Sequence, residues 1–130
     1  MIVLDTSALV EFLVGRDAVA ENVRAVTAGE RWAAPYAADL ECASALHGLV
    51  RGDKLAADEA YRALNLWRVV SVRRFDHVPL LPRIWELRHN MWPYDAAYVA
   101  LAELLDVELV TVDGKFQRVP GVKCVIRDLR

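Results

Sequence analysis

The sequence predicts an α/β fold: a short central parallel sheet with helices on both faces. Two observations carry this. Apolar runs with β-branched residues stand near both ends of the chain, Met1–Leu4 and Glu108–Val112 being the clearest, and long stretches of helical period lie between them. Parallel strands also need a crossover connection, which those helices supply. In such a sheet the ligand crevice lies beyond the C-terminal ends of the strands.

Met1-Ile2-Val3-Leu4 reads as a buried strand that stops at Asp5. Thr6 and Ser7 offer hydroxyl caps for a helix from Ala8 to about Val14, which Gly15 ends. Asp17 caps a second helix, to about Ala28, ended by Gly29. Arg31–Ala34 is a short strand closed by Pro35. A third helix covers about Ala37–Arg51, with Cys42, Ala45, Leu46 and Leu49 at helical spacing and Gly52 after it. A fourth, about Leu55–Val69, carries Ala60, Leu64 and Trp67 on its apolar stripe. A fifth covers about Leu81–Asn90, and a sixth, beyond Pro93, covers Asp95–Leu105. Glu108–Val112 and Lys123–Ile126 read as the last two strands.

No repeat, low-complexity segment or Pro/Gly/Ser linker divides the 130 residues, so one domain over 1–130 is expected. Hydrophobic residues make up 55% and charged residues 26%, which excludes a disordered chain. The longest stretch without Asp, Glu, Lys or Arg is nine residues, Cys42–Val50, against roughly 20 for a membrane span. Asp5 interrupts the first apolar run, so no signal peptide is expected. Two cysteines, Cys42 and Cys124, make no disulfide framework and suit a cytoplasmic protein. The apolar fraction exceeds the usual 45–50% or so, which leaves apolar surface for a partner or a second copy. The net charge of −2, taken alone, argues against a nucleic-acid ligand.

The placement of the acids reverses that last inference. Asp5 ends a strand, Glu41 lies in the first turn of a helix after a strand, Asp95 opens a helix, and Asp113 ends the strand before it. Helices that start where parallel strands end bring all four to one edge. Each has a plainer reading: Asp5 and Asp95 as helix caps, Glu41 as a first-turn acid, Asp113-Gly114 as a turn. Four carboxylates on one edge repel one another unless cations bind them. An all-oxygen set suits hard dications, so one or two Mg²⁺ or Mn²⁺ ions are expected. Two such ions about 3.5–4 Å apart can hold a phosphodiester, activate water and stabilise the leaving oxygen. His47, His77 and His89 are scattered over separate elements and point to no zinc site. Ser7 and Thr111 lie beside the acids without a base to activate them, and read as groups that hydrogen-bond Asp5 or its neighbours; a plain helix cap fits Ser7 equally. Setting these four of the 18 acids aside leaves 14 against 16 bases, a mildly basic remainder that can admit a nucleic acid.

These residues resemble the PIN domain, and within it the VapC toxins of VapBC toxin–antitoxin pairs. The resemblance rests on residues 2–9 (Ile-Val-Leu-Asp-Thr-Ser-Ala-Leu), Glu41, residues 94–102 (Tyr-Asp-Ala-Ala-Tyr-Val-Ala-Leu-Ala) and residues 109–116 (Leu-Val-Thr-Val-Asp-Gly-Lys-Phe), in that order and spacing. The run Leu80–Asn90 adds a likeness to actinobacterial VapC chains. The resemblance implies a PIN-like α/β/α sandwich and a Mg²⁺- or Mn²⁺-dependent endoribonuclease, with Asp5, Glu41, Asp95 and Asp113 matching the family's acids. It implies structured RNA as substrate, tRNA or ribosomal RNA, whose cleavage stops translation. It implies a VapB antitoxin partner, contact with operator DNA through that antitoxin, and a homodimer, with no membrane association. One departure stands out: Lys115 occupies a position where some relatives carry another acid. That makes Asp113 the least secure ligand and leaves Lys115 as a solvated turn residue or a phosphate contact.

Two other readings stay open. A receiver-type signalling module also carries acids at strand ends and Mg²⁺, but it needs an acidic pair after the first strand and a central Asp that this chain lacks. A PIN-like RNA-processing nuclease without an antitoxin keeps the chemistry and changes the role. For the surplus apolar surface, helices 17–28 and 37–51 suggest an antitoxin groove, and Trp85 and Trp92 suggest a dimer interface.

Overall fold

The computed structural model describes residues 1–130. Its five strands are β1 (Ile2–Leu4), β2 (Trp32–Pro35), β3 (Val72–Phe75), β4 (Leu109–Thr111) and β5 (Ile126–Asp128). Its six α-helices are α1 (Thr6–Val14), α2 (Ala18–Thr27), α3 (Ala37–Arg51), α4 (Ala57–Val69), α5 (Leu81–Glu86) and α6 (Pro93–Leu105), with 3-10 turns at Val78–Leu80 and Gly114–Arg118.

The strands lie in the order β3-β2-β1-β4-β5 and every pairing is parallel. From β1 the chain winds outward through β2 to β3, then returns past β1 to β4 and β5. The winding reverses between β1 and β4, and this switch point is where a parallel sheet opens a crevice at its C-terminal edge. Right-handed crossovers in opposite directions put their helices on opposite faces. Accordingly α1 packs against α2, α3 and α4, while α6 packs against α5 and crosses β1, β2 and β4. The result is the expected α/β/α sandwich.

α6 is the central helix. Seven consecutive residues, Ala96–Ala102, are buried. The four alanines among them let α6 approach the sheet closely, and Tyr98, Val99 and Leu101 fill the space with β1 and β4. Leu80, Ile84 and Leu87 cover its outer side.

Four details differ from the sequence expectation. β3 was not expected: Val72-Arg73-Arg74-Phe75 is an edge strand paired with Trp32–Pro35, and its two arginines hide the apolar signal while protecting the edge. The fifth helix ends at Glu86, not Asn90. The Leu87 N–H is shared among the carbonyls of Arg83, Ile84 and Trp85, and tight turns follow through Asn90. The last strand lies at Ile126–Asp128 rather than Lys123–Ile126, because the Lys123 N–H is spent on the Glu103 carboxylate at 2.7 Å. Finally, α1 is capped by Asp5, whose Oδ1 accepts from the Ala8 N–H at 3.0 Å, so Thr6 and Ser7 lie inside the first turn.

Candidate active site

Asp5 leaves the end of β1 and is 4% exposed. Its Oδ1 accepts from the Ser7 hydroxyl at 2.7 Å and from the Ala8 N–H, and its Oδ2 accepts from the Thr111 hydroxyl at 2.7 Å. Asp5 therefore does act as a helix cap, and the same carboxylate is also fixed across the switch point. Burial raises its pKa above the ordinary carboxylate value; the bonds from Ala8, Ser7 and Thr111 oppose the rise and the charge of Asp95 adds to it.

Ser7 and Thr111 form a relay between β1 and β4. Thr111, fully buried on β4, donates to Asp5 and accepts from the Asp113 N–H at 2.9 Å. Ser7 donates to Asp5 and accepts from the Val112 N–H at 3.2 Å. Both are thus partners of the acids.

Glu41 stands one turn into α3, not in its first turn, where the acid is Asp39, and it has a buried Oε1 with no hydrogen-bond partner. Burial raises its pKa, the neighbouring Tyr98 and Thr6 temper the rise, and Asp95 and Asp5 add to it. Tyr98 and Thr6 are themselves bonded through their oxygens at 2.7 Å. Burial and the charge of Glu41 push the Tyr98 phenol upward, so it stays protonated. The adjacent Cys42 is no nucleophile, since burial, Asp39 and Glu41 push its thiol up to about 11.

Asp95 lies in the first turn of α6, which begins at Pro93. Its Oδ2 pairs with the Lys115 ammonium at 2.9 Å, and Asp113 Oδ2 pairs with the same ammonium at 3.1 Å. Lys115 is therefore no free turn residue. Burial disfavours its charge, but Asp95 and Asp113 outweigh that and hold its pKa above the ordinary lysine value.

The structure brings Asp5, Glu41, Asp95 and Asp113 to one edge. Asp95 acts electrostatically on both Asp5 and Glu41, and Lys115 bridges Asp95 to Asp113. No three acidic, His or Cys side chains are preassembled into a ligand set around one point. The donor set nevertheless fits a hard dication: it is all oxygen, two of its carboxylates have raised proton affinity, and one buried oxygen is unpartnered. Arg88 is not part of it; its guanidinium stacks over Trp85 at 4.7 Å. The sequence reading missed two features here, the Thr6–Tyr98 pair and the destination of Lys115. Tyr98 stands three residues after Asp95, on the same helix face, which was the available signal.

The family model of the PIN domain matches residues 2–122. The chain belongs to the PIN-domain family. The chain is 43% identical over 126 residues to a VapC ribonuclease of Mycobacterium bovis, covering 97% of this chain and 96% of the relative. Ribonuclease VapC1 of Mycobacterium tuberculosis is 37% identical over 129 residues, with 98% and 97% covered. This PIN domain thus belongs among the VapC ribonucleases. Its fold matches Mycobacterium tuberculosis VapC20, a Sarcin-Ricin loop cleaving toxin, with TM-score 0.71 at 19% identity over 92% of this chain and 95% of that one. It also matches VapBC2 of Rickettsia felis bound to a promoter DNA fragment, with TM-score 0.70 at 17% identity over 98% of each chain.

Proposed function

We propose that this PIN domain, as one unit over residues 1–130, is a divalent-metal-dependent endoribonuclease and the toxin of a VapBC-type pair. The observation that carries the reading is the convergence of Asp5, Glu41, Asp95 and Asp113 at the switch point, with the buried Glu41 Oε1 unpartnered. Bound Mg²⁺ or Mn²⁺ would polarise the scissile phosphodiester and lower the pKa of an attacking water. Asp5, Glu41 and Asp95 are the residues to hold the ion, with Asp113 contributing less directly. Ser7, Thr111 and the Ala8 N–H keep the Asp5 carboxylate in one orientation. Thr6 and Tyr98, bonded to each other, stand beside Glu41, which would position the metal or a water.

The substrate in this reading is structured RNA, tRNA or ribosomal RNA, and cleavage stops translation in the cytoplasm. No helix is long and apolar enough to cross a membrane. The partner is a VapB-type antitoxin, which carries the toxin to operator DNA. α2 and α3, the helices that the sequence offers for the antitoxin, both pack on α1. Beside them, a cleft between α1, α2 and α4 is lined by Leu13, Val14, Arg24, Ala63 and Leu66, and it offers apolar surface to the same partner. Trp85 and Trp92, 68% and 80% exposed, suit a homodimer contact, which a chain monomeric at micromolar concentration would contradict.

The test is induced expression followed by mapping of new 5′ ends across cellular RNA. The expected result is translation arrest with cleavage at a few sites in tRNA or ribosomal RNA, lost in Asp5→Asn and relieved by the co-expressed antitoxin. Arrest that persists in Asp5→Asn would contradict the assignment.

A further inference from the structure

Asp113 is the acid with least to offer an ion, because Lys115 occupies both of its oxygens. The Lys115 N–H donates to Oδ1 at 3.1 Å and the Lys115 ammonium pairs with Oδ2 at 3.1 Å. The same ammonium takes Asp95 Oδ2 at 2.9 Å and lies over the Phe116 ring, 5.7 Å from its centroid. Phe116 is buried and the 3-10 turn Gly114–Arg118 that carries Lys115 is capped by Asp113 itself. These restraints hold the ammonium at the carboxylate edge, on a side chain that is otherwise half exposed.

The oxygens divide into two groups. Glu41 Oε1 has no partner, Asp95 Oδ1 has no hydrogen bond or ion pair, and Asp5 Oδ2 has a single donor. Asp95 Oδ2 and Asp113 Oδ2 already face the Lys115 ammonium, and Asp113 Oδ1 accepts from the Lys115 backbone N–H. The first side offers acceptors without a cationic side chain, and the second side already holds one.

We propose that Lys115 stands in for a second divalent ion, so that the site holds one dication, among Asp5, Glu41 and Asp95, and a tethered ammonium between Asp95 and Asp113. This inference rests on the metal-dependent reading of the site and specifies its stoichiometry. Lys115 acts as a positioning residue: it fixes Asp95 for the ion, neutralises Asp113, and excludes a second dication by like-charge repulsion. An ammonium a few ångströms from an incoming ion repels it, so its removal is expected to tighten a second site by at least about tenfold.

The experiment counts Mn²⁺ bound to the purified full chain by EPR of free Mn²⁺ and by calorimetry, for wild type, Lys115→Met and Lys115→Arg, with thermal melts to verify folding. Met preserves the length of the stem and removes the charge; Arg restores it. The expected result is one Mn²⁺ in wild type and Lys115→Arg, and two in Lys115→Met over the same concentration range. Two ions in folded wild type, or one in folded Lys115→Met, would overturn the role of Lys115 alone. No Mn²⁺ on any of the three would overturn both this role and the metal-site reading.

Discussion

The carboxylate of Asp5 caps a helix and faces the other acids from a nearly water-free position, and burial is what governs its titration. Its folded-state pKa lies above the ordinary value of 3.8, and Glu41 is raised above 4.5 for the same leading reason. An acid with a raised folded pKa binds more protons folded than unfolded as pH rises past its unfolded value. Stability contributed by these two groups is therefore present at low pH and lost as pH rises through the folded pKa. In chelator-treated protein, Asp5→Asn and Glu41→Gln are expected to melt above wild type at pH 7, with the difference closing toward pH 4. Asn keeps one oxygen for the cap on α1. Equal or lower melting temperatures for both variants at pH 7 would contradict this. Lys115 is a residue whose role was not legible in the sequence: its position two residues after Asp113 was readable, but the destination of its ammonium depends on α6, twenty residues away in the chain.

Between elements, Thr111 ties β4 to β1 at the point where the winding reverses. Thr111→Val keeps the volume but leaves Asp5 Oδ2 without a donor and the Asp113 N–H without an acceptor. The expected cost is about 1–3 kcal/mol in stability, and RNA cleavage is expected to fall by about 10–100-fold. Thr111→Ser, which retains the hydroxyl, should restore both; wild-type activity in Thr111→Val would contradict the relay. Most elements were legible because their signals are local: the apolar run that stops at Asp5, the Asp17 cap, the helical spacing of Cys42 and Leu46. β3 was not, because two arginines on an edge strand erase the apolar pattern. The placement of β5 was not, because its register is set by Leu109–Thr111 and not by its own residues.

Over the whole molecule, the net charge of −2 conceals a division of labour. The sheet order places residues 5, 41, 95 and 113, from four separate segments, at one edge, and the remaining surface carries more bases than acids. The four positions were readable as strand ends and helix starts; their shared edge follows from parallel winding. The distribution of hydrogen bonds and ion pairs among their oxygens required the packed structure. The surplus of apolar residues also resolves by location, into the buried α6 and into exposed Trp85 and Trp92. The central claim is that this edge cleaves RNA with a divalent ion. It is tested most directly by measuring Mn²⁺-dependent cleavage of a structured RNA by purified wild type, Asp5→Asn, Glu41→Gln, Asp95→Asn and Asp113→Asn. The account predicts chelator-sensitive activity that drops by at least about a hundredfold in the first three variants and less in Asp113→Asn. Wild-type rates in Asp5→Asn, Glu41→Gln and Asp95→Asn, or cleavage indifferent to chelator, would contradict it.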